Sequence, residues 1–175
     1  MSESDTIDVT GLSKGKPQFQ SRWKDSTTVV SAVKSHLSVK IAWRFPVEYE
    51  YCNPADLLHG AAQCMAYDIA MAYLPFPLAK RGFWEEMGFS RNFSINFLRT
   101  ARLGEWVRME MEVSVPIQGS LRLSVKVLTL PLIVQIGKTM CLLQGVMKRE
   151  RDGAIISTCE QNKYNSGGGN MMGKL

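Results

Sequence analysis

At 175 residues, with 45% hydrophobic side chains and 21 Lys+Arg against 16 Asp+Glu for a net charge of +5, the chain has the make-up of one globular domain, large enough to form a core without disulfides or a structural metal. The basic residues are scattered rather than gathered in a stripe with interleaved aromatics, which argues against a nucleic-acid binder. The most apolar run is broken at Pro131 and the N-terminus has no apolar core, so neither a membrane span nor a secretory signal is expected. Cys52, Cys64, Cys141 and Cys159 show no CxxC spacing and no neighbouring histidine, so they read as reduced thiols and no metal is expected.

Residues 1–16 are polar and 166–175 are Gly-rich, so both ends are expected to be disordered, with the folded body at 17–165. Between Phe19 and His36, the apolar residues Phe19, Trp23, Val29, Val30 and Val33 fit an amphipathic helix starting near Asp25 or Ser26. From Leu37 the period becomes two: Leu37, Val39, Ile41, Trp43, Phe45, Val47, Tyr49 and Tyr51 alternate with polar residues. This predicts one or two half-buried strands, with Pro46 at an edge or bulge. Leu57 to Ala79 then returns to helical spacing at Leu58, Ala62, Met65, Ile69 and Tyr73, stops at Pro75 and Pro77, and carries Asp68 as its one formal charge.

Alternation resumes at Phe89–Phe97, with Phe93, Ile95 and Phe97 on one face and Asn92, Ser94 and Asn96 on the other. It continues with Val107, Met109, Met111, Val113 and Val115 against Arg108, Glu110, Glu112 and Ser114, and with Leu121, Leu123, Val125 and Val127. Segments 134–149 and 154–164, split by Asp152-Gly153, predict a closing hairpin. A helix apolar almost all round is a buried helix, and an antiparallel sheet of five or six strands buries one by wrapping around it. The expected class is therefore α+β.

On a helical wheel with Leu58 at zero, Met65 and Ile69 fall within about 20° and Asp68 about 80° away, at the flank of the apolar face, with Gln63 and Tyr67 on the polar face. An ionised carboxylate there costs several kcal/mol unless it is paired or reaches a cavity. Asp68 is thus either a structural residue bonded to an amide or an arginine, or a general base or nucleophile at a pocket edge. Upstream, NPADLLHG brings His59-Gly60 to the start of the helix, where free N–H groups and the helix dipole stabilise negative charge. The ordinary alternatives are Asn53 as an N-cap before Pro54, His59 as a core histidine and Gly60 as a packing glycine.

The order Asn53, then His59-Gly60 six residues on, then Asp68 nine residues after the histidine resembles the hotdog-fold thioesterases, in the acyl-CoA thioesterase branch with its N-x5-HGG motif and helical Asp. Ser90 to Val113 is similar to that branch's third and fourth strands, and Gly137 to Asn165 to its closing hairpin, so the resemblance covers about residues 38–165. It implies a hotdog fold with a central buried helix, assembled as a homodimer or dimer of dimers with sites between subunits, and hydrolysis of an acyl-CoA or acyl-carrier thioester. Asp68 would be base or nucleophile. From the facing subunit, the Gly60 amide would hold the oxyanion while Asn53 and His59 orient carbonyl or water. Ser90 aligns with a residue that helps position the water, and Arg99, Arg102 and Lys138 are candidates for coenzyme A phosphates. No resident cofactor is implied, coenzyme A being part of the substrate.

Two features depart from the branch. Ala61 stands where the motif has its second glycine, and about fifteen to twenty extra residues lie within 114–136, where an extra strand pair or a misfit is expected. A non-catalytic acyl-binding hotdog module and a hotdog dehydratase or hydratase are the alternative readings, the latter weakened because His36 is the only other histidine. A serine hydrolase finds no G-x-S-x-G. The terminal Gly-Lys-Leu resembles the peroxisomal Ser-Lys-Leu address but departs at its first residue, leaving cytoplasm as the first expectation.

Overall fold

The computed structural model describes residues 5–6, 23, 25–35, 38–79, 84, 88–114 and 140–164. Its strands are β1 (Asp5–Thr6), β2 (Thr28–Lys34), β3 (Ser38–Pro46), β4 (Phe89–Phe97), β5 (Trp106–Ser114), β6 (Met140–Arg149) and β7 (Ile155–Tyr164), and its helix is α1 (Gly60–Ala72). All pairings are antiparallel, in the order β1-β2-β3-β5-β6-β7-β4. The chain leaves β3, runs through α1 and re-enters the sheet at the far edge as β4. That long connection lays the helix across one face, as the α+β expectation requires.

The alternation in β3 and β5 is what creates this face. Val39, Ile41, Trp43 and Phe45 on β3 and Val107, Met109, Met111 and Val113 on β5 are all buried, and they join Leu143 and Met147 of β6 and Ile156 of β7 around Tyr67, Ala70 and Met71 of α1. Gly145 lets the helix come close: a Cβ there would stand 2.7 Å from Met71 Cε and 2.8 Å from Tyr67 Cε1. At one end, Trp23 packs on Trp43 and Phe45, with ring centroids 6.0 and 5.9 Å away. The hairpin forms where Asp152-Gly153 announced it, with Gly153 at φ +70°, a conformation glycine adopts without strain.

Three expectations need correction. The helix expected to run from Asp25 toward His36 does not reach 28–34, which form β2 on β3; among the described residues of this segment, Trp23, Asp25 and Ser26 have helical geometry. Thr28, Val29, Val30 and Val33 are β-branched and fit a pleated surface better than a helical turn. The alternating stretch from Leu37 ends at Pro46, which pairs with Trp106 at the end of an interior strand, and Tyr49–Tyr51 is a 3-10 turn. Finally, α1 starts at Gly60, where His59-Gly60 was expected to open it, but Leu57 and Leu58, counted into its helical spacing, instead make extended bridges to Arg102 and Cys52.

Leu58 is therefore not on the helix, and the buried face of α1 is not the one that a wheel drawn from Leu58 marks. Gln63 and Tyr67 are buried, and Asp68 is exposed. Tyr67 belongs inside because its ring is largely apolar and its hydroxyl finds the Ser157 carbonyl at 3.0 Å. Val115, the Leu121–Val127 strand, Lys138 and the tail 166–175 lie outside the described residues, as does 1–16 apart from Asp5–Thr6, which pairs with β2. Among the described residues no helix is long and apolar enough to cross a membrane.

Candidate active site

Asp68 leaves α1 two turns beyond the helix start and points toward the edge formed by β7 and β4. Ser90 Oγ donates to Asp68 Oδ1 at 2.7 Å, and Gln161 Nε2 donates to the same oxygen. Gln161 Nε2 also reaches Ser90 Oγ at 2.9 Å. Behind them Lys163 Nζ lies 3.2 Å from Ser90 Oγ and 4.0 Å from Asp68 Oδ1. These contacts converge on Oδ1, and among the described residues none is made to Oδ2.

The sheet register explains why these side chains meet. Ser90 is opposite Lys163 and Phe93 is opposite Gln161, with an irregularity between Ser90 and Asn92. Strict alternation would put Ser90 on the face of Asn92, Ser94 and Asn96. The bulge at Arg91 adds one residue to β4 and turns Ser90 to the helix side instead.

On β7, alternation brings Ser157, Cys159, Gln161 and Lys163 to the inner face, and all four are buried. Burial pulls the Lys163 ammonium below the usual lysine range, while Asp68 and then Cys141 pull the other way. Burial likewise pushes the Cys159 thiol up to about 12, with Cys64, Glu160 and Asp68 adding to the effect. Gln161 Oε1 is buried with no hydrogen-bond partner among the described residues. Turning the amide over would aim that oxygen at the carboxylate, so the Nε2 donations to Asp68 and Ser90 define its orientation.

The other motif residues gather at the opposite end of the helix. His59 is the N-cap, its Nδ1 accepting from the Ala61 N–H at 3.0 Å, and it is exposed rather than a core histidine. Gly60 is the first helical residue, whose N–H has no acceptor within a helix. Asn53 does not cap the helix: its Oδ1 accepts from Ala55 N and Leu57 N at 2.9 and 3.2 Å and organises the preceding turn. The Ala61 amide is taken by His59, and the Ala61 methyl is exposed.

Phe97 covers Gly60, its ring 3.3 Å from where a Cβ would stand. The exposed Arg99 and Arg102 lie on the loop that follows, which is tied to this end by Leu58 N to Ala101 O at 2.9 Å and by the Leu57–Arg102 bridge. Arg99 Nη1 donates to the Ile155 carbonyl at 3.3 Å.

Asp68 and Ser90 are therefore together, whereas Asn53, His59 and Gly60 form a separate group. Eight residues of helix separate Gly60 from Asp68, about 12 Å along the axis at 1.5 Å per residue. Gln161 and Lys163 are residues of the Asp68 group that the sequence reading missed. Their signal was faint, because β7 carries polar residues at both parities and hydropathy does not say which one turns inward.

No protein-family model and no curated protein matches the sequence. Solved structures do. Zebra fish thioesterase superfamily member 2 superposes with a TM-score of 0.62 at 19% identity, over 85% of this chain and 87% of that one. A hypothetical thioesterase with coenzyme A from Streptococcus pneumoniae gives 0.58 at 14% identity, over 82% and 88%. The smu.793 protein of Streptococcus mutans bound to acetyl-CoA gives 0.57 at 13%, over 79% and 88%. With its sheet order and the helix laid across it, these superpositions show that the chain has the hotdog fold of thioesterase-superfamily structures.

Proposed function

We propose that the protein hydrolyses an acyl thioester of coenzyme A, with Asp68 of one subunit and the helix start of a second copy acting on the same carbonyl. The observation that carries this reading is the fixed carboxylate: Oδ1 is held by Ser90 and Gln161, which leaves Oδ2 to face the reactants. As general base, Oδ2 takes a proton from water as the water oxygen attacks the thioester carbon. The oxyanion that forms needs a donor within about 3 Å, and the Gly60 amide at the positive end of the helix dipole is such a donor. At about 12 Å along its own helix it cannot serve its own Asp68, so the reading calls for a dimer. Collapse of the intermediate breaks the C–S bond, the thiolate leaves as the free thiol after protonation, and the acid remains. Direct attack by Oδ2, followed by hydrolysis of the anhydride, uses the same groups.

The bound coenzyme A and acetyl-CoA of two similar structures support coenzyme A as the carrier. Arg99 and Arg102, exposed beside the helix start, are the candidates for its phosphates, with Lys138 the third. Asn53 and His59 contribute by shaping the turn and capping the helix that presents Gly60.

The test is free-thiol release from acyl-CoAs of graded chain length. Asp68→Asn is expected to lower kcat on the order of 10²- to 10⁴-fold with little change in KM; unchanged turnover would remove Asp68 from the chemistry. Gly60→Pro deletes the proposed oxyanion donor at a position where proline suits a helix, after a His59 whose ψ of 141° tolerates it. Mixing the two variants should restore about a quarter of wild-type activity, the share of intact sites in a random dimer mixture. No recovery would defeat the shared site.

A further inference from the structure

We propose that Lys163 is a positioning residue, a buried ammonium that locks the Ser90 hydroxyl as a donor to Asp68 and so sets which carboxylate oxygen reacts. The inference rests on the hydrolase reading for its consequence, but its geometry stands apart from that reading. Lys163 is 3% exposed, an unusual place for a lysine, and a charge so placed has to be compensated by its neighbours. Those neighbours come from every element around it. Ser90 on β4 lies 3.2 Å away and Asp68 on α1 4.0 Å away, Gln161 bonds to both of these from β7, and Cys141 on β6 is opposite Lys163 in register. Burial holds the Cys141 thiol up at about 12, so Asp68 is the negative charge in this group.

Donor counting makes the arrangement directional. An ammonium has protons to give and no lone pair, so Ser90 Oγ accepts from Lys163; it accepts from Gln161 Nε2 as well. Its two lone pairs are then used, and its single proton points to Asp68 Oδ1, 2.7 Å away. Without Lys163 the hydroxyl is free to turn, and a bound water competes for its lone pair. Lys163 touches no reactant in this arrangement and acts only through Ser90 and Asp68.

Lys163→Met preserves most of the side-chain volume and removes the buried charge, so thermal stability is expected to hold or rise while kcat falls roughly tenfold or more with KM little changed. In a Ser90→Ala background the same substitution should cost less than about twofold, because the group it acts through is gone. Equal losses in both backgrounds, or wild-type kcat in Lys163→Met, would overturn the proposal. A second arm needs no substrate: NMR titration of the Lys163 side chain in lysine-labelled protein. Asp68→Asn should lower its midpoint, since losing the carboxylate favours the neutral amine. An unmoved midpoint overturns the coupling. Absence of thiol release in the wild type would sink the hydrolase reading while leaving that titration able to decide.

Discussion

β5 and β7 flank β6 in the same sheet, and each turns every second side chain toward the helix side, yet their inner faces have opposite chemistry. On β5 the buried residues are Val107, Met109, Met111 and Val113; on β7, beyond the buried Ile156 near its start, they are Ser157, Cys159, Gln161 and Lys163. The first set removes apolar surface from water and asks nothing else of its surroundings. The second requires partners for its polar groups and, apart from Gln161 Oε1, finds them in Tyr67, Ser90 and Asp68. The difference teaches where this fold has given up packing to hold a polar constellation in place. The β7 edge lies next to β4, where a bulge re-aims Ser90, while the β5 side holds the core.

Substitutions on the two faces should fall apart along that line. Met109→Ala removes a fully buried side chain and is expected to destabilise by about 2–5 kcal/mol in denaturant unfolding, with kcat per folded molecule nearly unchanged. Gln161→Met should do the reverse, leaving stability within about 1 kcal/mol while kcat falls roughly tenfold as Asp68 loses one of its two donors. If Gln161→Met cost as much stability as Met109→Ala at full activity, the polar face of β7 would be core by another name. The smallest effect belongs to the hairpin that joins β6 to β7.

There the Arg149 side chain, together with the Ala154 N–H, holds the Asp152 carboxyl down at about 2 from its ordinary 3.8. A carboxylate whose pKa is lower in the folded state stabilises the fold above about pH 4 and loses that contribution as pH falls toward 2. Asp152→Asn should flatten the pH dependence of the melting temperature in that window and leave turnover at neutral pH untouched. A slope identical to wild type would show that the acid sensitivity arises elsewhere.

Much of this architecture was legible along the chain, and its failures have local causes. Alternation in Ser38–Phe45 and Trp106–Ser114 announced β3 and β5, because a half-buried strand repeats every two residues wherever it pairs. The apolar segment ending at Pro75 announced α1, but with Leu57 and Leu58 counted as helical its wheel marked a different buried face, and Asp68 was expected in a more buried setting than it has. Val29, Val30 and Val33 satisfied a helical spacing and a strand equally. Pairing with β3, which sets Val33 against Lys40 and Val29 against Trp43, settled the matter.

The sequence by itself therefore determined the elements, the apolar faces that assemble them, and the presence of an acid on a helix that starts with His59-Gly60. These follow from periodicity and local backbone preference, which a dozen residues suffice to express. Only the tertiary structure decided that a bulge at Arg91 swings Ser90 onto Asp68, and that Gln161 and Lys163 occupy the inward parity of β7. Both depend on register between segments far apart in the chain. In a strand, one residue of register reverses which side chains face the helix.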